Sequence, residues 1–416
     1  MKFLYCLALL GPLGSVGFSQ QEVSVFYHAG AGVENDAIKT VLNSFNEAQN
    51  AYRAVITELP GEGYNQQITA AALSGNLPCL LDFDGPYQYN YIWAGYLRPI
   101  DEFVSDELLE SILPTVVEQG RYNDQLYSLS QFEGGLAIWG NRSLLEQADV
   151  RIPSGIEDAW TLEEFNDALV SLSELEGVVP LDLKMNYGAG EWFTYGFSPI
   201  VQSFGGDLID RSDMQSAEGV LNGPESVEAM TWFQNLFERD YSTATPADDN
   251  LFVDGKAALS YVGHWEYTRY REALGDDLVL LPVVNYDQGP KTGMGSWAWA
   301  ITESCDNPEG AWAVLEFLLQ PEQVRILTDA NGAIPSRIEA IESDPRFAED
   351  GPLRIYYDQL TGGWAVPRPQ TPAYPVITEA FAKAAAEIAA GADVQDSLDE
   401  AVDVIDQNIA ANNGYQ

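Results

Sequence analysis

Histidine is nearly missing from this chain of 416 residues: His28 and His264 are the whole supply. Cysteine is as scarce, with only Cys6, Cys79 and Cys305. The two shortages exclude a zinc site of the usual cysteine and histidine spacing. They also leave little material for a serine–histidine–acid triad. Positive charge is thin: 20 lysines and arginines stand against 63 acidic residues, a formal net charge of −43. Nucleic-acid affinity comes from basic side chains on phosphates, so nucleic acid is excluded as a partner. Anionic lipid surfaces and acidic ligands are disfavoured for the same reason. Beyond the first residues there is no apolar run of the ~20 residues that a membrane span needs. The glycine clusters Gly30–Gly32 and Gly293–Gly295 lack the later glycine and acid of a dinucleotide site. DDNLFVDGK, residues 248–256, lacks the ligand spacing of a calcium hand. No cofactor and no metal are expected.

What the chain does have is apolar mass and aromatic rings. Hydrophobic residues make up 46%, enough for a packed core of one to three domains. The acids are spread rather than run together, which describes a solvated surface and not a tail. An acid-rich, lysine-poor surface suits a salty medium, although lineage bias gives the same composition. Residues 1–19, MKFLYCLALLGPLGSVGFS, have the form of an export signal: Lys2, an apolar run from Phe3 to Leu10, and the small residues Gly17 and Ser19 before a cut near Gln20. Cys6 lies inside that run with no lipidation site before it, so a soluble, processed, periplasmic protein is expected. Processing leaves Cys79 and Cys305, either bridged or as two buried thiols.

Short β-rich runs alternate with helical spacings. Val23–Tyr27, Ala54–Glu58 and Leu80–Phe83 read as strands, and 36–49 and 66–74 as helices. Later helices are expected over 161–175, 224–239, 308–319, 321–330, 376–390 and 394–411. The alternation predicts α/β layers with a parallel sheet. In DGPYQYNYIW, residues 84–93, rings fall at every second position, yet Gly85-Pro86 is turn chemistry. The strand should therefore end at Asp84, with the tyrosines starting at the carboxyl end of the sheet, where ligands of such sheets lie.

At this point an order of motifs becomes visible. GNLPCLLDFDGPYQYNYIWAGYLRPID (75–101) is followed by YSLSQFEGGLAIWGNRS (127–143), WTLEEFNDAL (160–169), QSFGGDLID (202–210) and GPESVEAMTWFQNL (223–236). FVDGKAALSYVGHW (252–265), DNPEGAWAVLEFLLQPEQ (306–323), GAIPSR (332–337) and ADVQDSLDEAVDVID (392–406) complete it. The series resembles the family 1 extracellular solute-binding proteins of ABC importers, the group that includes the maltose-binding proteins. Two motifs depart from the family pattern: Tyr127 begins Tyr-Ser-Leu-Ser rather than Tyr-Gly-Leu-Pro, and Gly140 begins Gly-Asn-Arg-Ser rather than Tyr-Asn-Lys-Asp. The resemblance implies a two-lobed periplasmic-binding-protein fold of type II kind, with a ligand cleft between lobes. Residues 20–132 and 291–338 would form one lobe, and 133–290 and 339–416 the other. It implies a monomer that captures a carbohydrate and delivers it to a membrane permease, without catalysis.

A sugar presents C–H faces to flat rings and hydroxyls to planar polar groups. Trp265 matches the family's Gly-x-Trp position, and Trp192, Trp297 and Tyr374 fall in segments the resemblance places at the cleft; each is otherwise a core residue. Tyr87 follows the turn at Asp84. Among polar groups, Asp84 should stand at the cleft rim, with Arg368 in the late proline-rich segment. Gln131 and Glu133 sit where the chain would cross between lobes. Glu62 and Tyr64 occupy the loop after the second strand. Two rival functions use the same residues. A glycoside hydrolase would pair Asp84 with Glu133 as its carboxylates. A polyamine-binding protein would exploit an acidic, aromatic cleft.

Overall fold

The structure, a computed structural model, describes residues 20–30, 32–61, 63–286 and 288–415. The expected export signal, 1–19, and Glu62 lie outside the described residues.

The chain begins with β1 (Gln21–Ala29), α1 (Gly32–Ala48), β2 (Tyr52–Pro60), α2 (Tyr64–Leu73) and β3 (Leu80–Asp84). β1 runs parallel between β2 and β3. α1 buries Ala37, Ile38, Val41, Leu42 and Phe45, one stripe of a helical period, with Glu34 buried in its first turn. After β3 a single turn of 3-10 helix over Gly85–Tyr87 leads into α3 (Gln88–Trp93). The alternating rings of this stretch therefore do not make a strand face. Tyr89 and Tyr91 are buried, and Trp93 is about half exposed, at 48%.

From β4 (Ser128–Leu129) the chain crosses through β5 (Phe132–Glu133) into a second sheet. That part comprises β6 (Leu136–Asn141), α4 (Leu162–Ser173), β7 (Val179–Asp182), α5 (Glu191–Ser203), α6 (Pro224–Glu238), β8 (Ala257–Gly263) and β9 (Leu278–Leu281). Its strand order is β9-β6-β8-β7, with β7 and β8 parallel and the other pairs antiparallel. The capping box expected at Thr161 and Glu164 starts α4: Glu164 accepts from the Thr161 amide at 3.0 Å, and Thr161 Oγ1 accepts from the Glu164 amide at 3.2 Å.

β10 (Thr292–Met294) carries the chain back, and β11 (Trp297–Ile301) inserts antiparallel between β3 and β4. The first sheet is thus mixed, not parallel as the strand–helix alternation predicts. The reason is that β11 arrives from the other lobe instead of through a local crossover helix. α7 (Pro308–Leu318) and α8 (Pro321–Asn331) follow, each with its proline in the first turn, where the missing N–H costs nothing. β12 (Ile334–Pro335) then pairs with β5. The chain leaves for the second lobe a last time through β13 (Ala365–Pro367), parallel to β10. α9 (Tyr374–Ala389) and α10 (Val394–Ala411) end the fold against α5 and α6. Among the described residues no helix is long and apolar enough to cross a membrane.

Cys79 and Cys305 are bridged, with Cα atoms 4.5 Å apart. The bridge joins the start of β3 to the end of β11, strands that are neighbours in space and 226 residues apart in sequence. Closing so long a loop removes much freedom from the unfolded chain. Replacing both cysteines by serine is expected to lower the unfolding free energy by about 2–4 kcal/mol. Urea denaturation would read this, and wild type with reductant should fall on the variant's curve.

Candidate functional site

The end of β3 and the start of α5 converge on one residue. Arg368 follows β13 and is 6% exposed. Its Nη1 and Nη2 each donate to one oxygen of Asp84 at 2.8 Å, a bidentate pair with the last residue of β3. Nη1 also donates to Glu191, the first residue of α5. Arg368 lies 4.8 Å over the ring of Tyr195, which stands one turn further along α5 and so on the same face as Glu191. Glu191 also accepts from the hydroxyls of Tyr374 and Thr378, the latter at 2.8 Å. Asp84 ends β3 and Glu191 opens α5, so one guanidinium joins two elements far apart in sequence. Beside it, Asn90 donates to the Pro372 carbonyl at 2.9 Å, and the Tyr87 ring meets Tyr374 edge-on at 5.5 Å.

The charges here do not balance, since two carboxylates share one cation. Burial pushes the Glu191 carboxyl up to about 7; Arg368 opposes this and the nearby charge of Asp84 adds to it. Burial disfavours a charged Arg368, but Asp84 first, then Tyr374 and Glu191, hold its proton more firmly than in water.

Two partly exposed indoles flank this group. Trp297, at the start of β11, is the register partner of Asp84 and stacks on His28 at 3.4 Å. Burial opposes a charged His28, yet Asp82, 2.5 Å from its Nδ1, outweighs that and raises its pKa. Trp265 follows β8 of the second sheet and lies 6.3 Å from the ring of Tyr195. A continuous series of contacts therefore runs Trp297, Asp84, Arg368, Tyr195, Trp265.

The other expected site residues take supporting places. Trp192 is 9% exposed, donates from Nε1 to the Leu183 carbonyl at 3.2 Å, and meets Trp265 edge-on at 5.9 Å. Tyr64 is buried, with its hydroxyl on the Asp82 carbonyl at 2.6 Å and its ring against Trp297. Tyr374 is wholly buried and spends its hydroxyl on Glu191. Gln131 is 1% exposed, and both ends of its amide are engaged, by the Leu318 carbonyl and the Trp299 indole. Glu133 is fully buried at the crossing, where Oε1 accepts from the amides of Gly134 and Gly295 at 2.9 and 2.8 Å. Burial raises its carboxyl. Asp84 and Glu133 thus do not stand open as a pair of carboxylates. Glycine is needed at this crossing: a side chain on Gly134 would meet the Tyr195 hydroxyl at 2.7 Å, and Gly295 has a φ of +90°.

Sequence reasoning passed over Glu191, Tyr195, Tyr187, His28 and Thr378. Glu191 had a signal: GAGEW sets an acid directly between a glycine turn and an aromatic. The rest carried none, because each is defined by a partner distant in sequence.

Comparison with known proteins fits this architecture. Residues 40–353 match the family of bacterial extracellular solute-binding proteins. The chain is 25% identical over 287 residues to the maltotriose-binding protein of Pyrococcus abyssi; the match covers 66% of this chain and 58% of that protein. It is 22% identical over 303 residues to the maltodextrin-binding protein MdxE of Bacillus subtilis, covering 70% and 69%. An ABC transporter solute-binding protein from Thermotoga lettingae, solved with α-D-tagatose, superposes with a TM-score of 0.81 at 20% identity, over 93% of this chain and 99% of that one. The GacH receptor of Streptomyces glaucescens gives 0.79 at 20% identity, over 95% and 98%. With the two-lobed fold in place and most of its length matched, the chain belongs to the bacterial extracellular solute-binding protein family.

Proposed function

We propose that this chain is the exported, carbohydrate-capturing member of an ABC importer, working as a monomer in the periplasm. A membrane permease encoded elsewhere would receive the ligand. The observation that carries this reading is Trp265: it hangs by its indole N–H from Tyr187 at 3.2 Å and stays only partly buried beside the Arg368 group. A flat apolar face next to planar hydrogen-bonding groups is what a sugar ring requires. The similar proteins named for maltotriose and maltodextrin, and the structure holding tagatose, support this class of ligand.

In this reading the lobes are 20–132 with 291–338, and 133–290 with 339–416. They move about the short pairs β5–β12 and β10–β13. Ligand favours the closed arrangement only through contacts it makes better there. The hydrolase reading is disfavoured because Asp84 is saturated by Arg368 and Glu133 is sealed in the crossing. The polyamine reading lacks a free carboxylate in this group, because Asp84 and Glu191 both already bond the one guanidinium of Arg368.

Tryptophan fluorescence and calorimetry with maltotriose, mannobiose, tagatose and spermidine would test the proposal, with product analysis alongside. Saturable binding of an uncleaved sugar is expected, and Trp265→Ala should weaken it at least tenfold, about 1.4 kcal/mol. Cleaved sugar, or salt-sensitive binding of spermidine alone, would sink it.

A second expectation concerns pH. A carboxyl raised on folding binds its proton better in the native state than in the unfolded one. Glu191 therefore lowers stability as pH climbs from the ordinary carboxyl value of 4.5 through about 7. Thermal melts from pH 5 to 8 should show wild type losing stability relative to Glu191→Gln by about 1–3 kcal/mol. Parallel curves would mean that Glu191 is charged throughout, held by Arg368.

A further inference from the structure

Behind Trp265 the second lobe holds a group of charges that touches no part of the cleft ion pairs. Lys184 is completely buried, with Nζ 3.2 Å from Asp182 and 2.8 Å from Asp249. Arg269 reaches Asp249 at 2.6 Å and Glu266 at 3.1 Å. It also donates to the Asp249 carbonyl and the Asn250 side chain, at 2.6 and 2.7 Å. The other oxygen of Glu266 accepts from the Tyr187 hydroxyl at 2.7 Å. That hydroxyl in turn accepts from the Trp265 indole. A line of hydrogen bonds and ion pairs thus runs from a buried lysine to a partly exposed tryptophan.

Geometry closes round the indole from other sides as well. The Trp192 ring stands at 89° to Trp265, and its own edge contact with Tyr187 is at 5.4 Å. The indole also lies over Gly263, where a Cβ would come within 2.1 Å of it, so no other residue leaves room for this orientation. Lys184, Asp182 and Glu266 are buried, while Arg269 and Asp249 stay partly exposed; burying such charges is a poor way to gain stability, since desolvation offsets most of the attraction. A fully satisfied polar network does, however, hold its members in one arrangement. The member it delivers to the cleft is Trp265.

We propose that Tyr187 and Glu266 are positioning residues that fix the Trp265 indole before ligand arrives. This rests on reading Trp265 as the ligand platform. A ring already in place loses no rotamer freedom on binding, and affinity rises by that saving. Glu266 acts through Tyr187, and Tyr187 through the indole N–H. Arg269 holds Glu266 in place, and is itself held by Asp249, which Lys184 ties to Asp182.

The test is a double-mutant cycle read together with a spectroscopic signal. Tyr187→Phe keeps the ring and its contact with Trp192 and removes only the hydroxyl. Binding of maltotriose and mannobiose is measured for wild type, Tyr187→Phe, Trp265→Ala and the double variant. Tyr187→Phe should weaken binding five- to twentyfold in wild type and less than twofold once Trp265 is gone. Glu266→Gln should behave like Tyr187→Phe. In ligand-free protein labelled with 5-fluorotryptophan, the Trp265 resonance, assigned by its loss in Trp265→Ala, should shift or broaden in Tyr187→Phe. Additive losses in the cycle with an unmoved resonance would overturn the proposal. Trp265→Ala binding both sugars as tightly as wild type would instead overturn the platform reading. The fluorine signal needs no sugar, so the two failures are told apart.

Discussion

The structure turns on the guanidinium of Arg368. It is buried, doubly bonded to Asp84 at the end of β3, bonded to Glu191 at the start of α5, and laid over Tyr195. A buried charge is tolerable only when paired and hydrogen-bonded. Here the partners come from β3 and α5, so Arg368 is paired with both only while those two elements stand together. Removing Arg368 would leave the Asp84 and Glu191 carboxylates together without a cation, which costs far more than the pairing itself contributes. The short crossing pairs and the glycines at 134 and 295 then have a clear purpose. They let backbone, Tyr195 and Arg368 come close at the place where the chain passes from lobe to lobe.

Around this centre the two lobes contribute rings with different kinds of support. Trp297 rests flat on His28, itself held by Asp82, and Tyr64 closes the side. Trp265 is suspended by its edge from Tyr187 and braced by Trp192. Each indole is anchored on one side and left partly open on another. The buried polar groups of the site are thus best understood by what they hold in place.

Much of the fold was legible because it is periodic or local. α1 shows its helical stripe, α4 its capping box, α7 and α8 their prolines, and β3 ends at the Asp-Gly-Pro turn as the residue chemistry demands. The antiparallel β11 was not legible, since its neighbours β3 and β4 lie more than 160 residues earlier and no local pattern encodes a strand's direction. The site divides along the same line. Asp84, Trp265, Trp297 and Arg368 stand beside glycines and prolines that mark turns, and the chain does bring them into one contact series. Gln131 and Glu133 are polar residues in an apolar crossing, a pattern that a ligand contact and a satisfied core group share. Tyr187 becomes noticeable only through its partner at 266.

The placement of β11 also bears on how the molecule must be made. The first lobe's sheet lacks an inner strand until residues 297–301 exist, by which point the whole second sheet has been synthesised. Until then β3 presents an unpaired edge, the kind of edge to which other chains add strands. The contact that covers it is among the most distant in sequence, and contacts of that kind form slowly. The lobe that starts the chain is therefore bound to finish late. A chain held extended until complete, as export in an unfolded state provides, would escape that exposed intermediate.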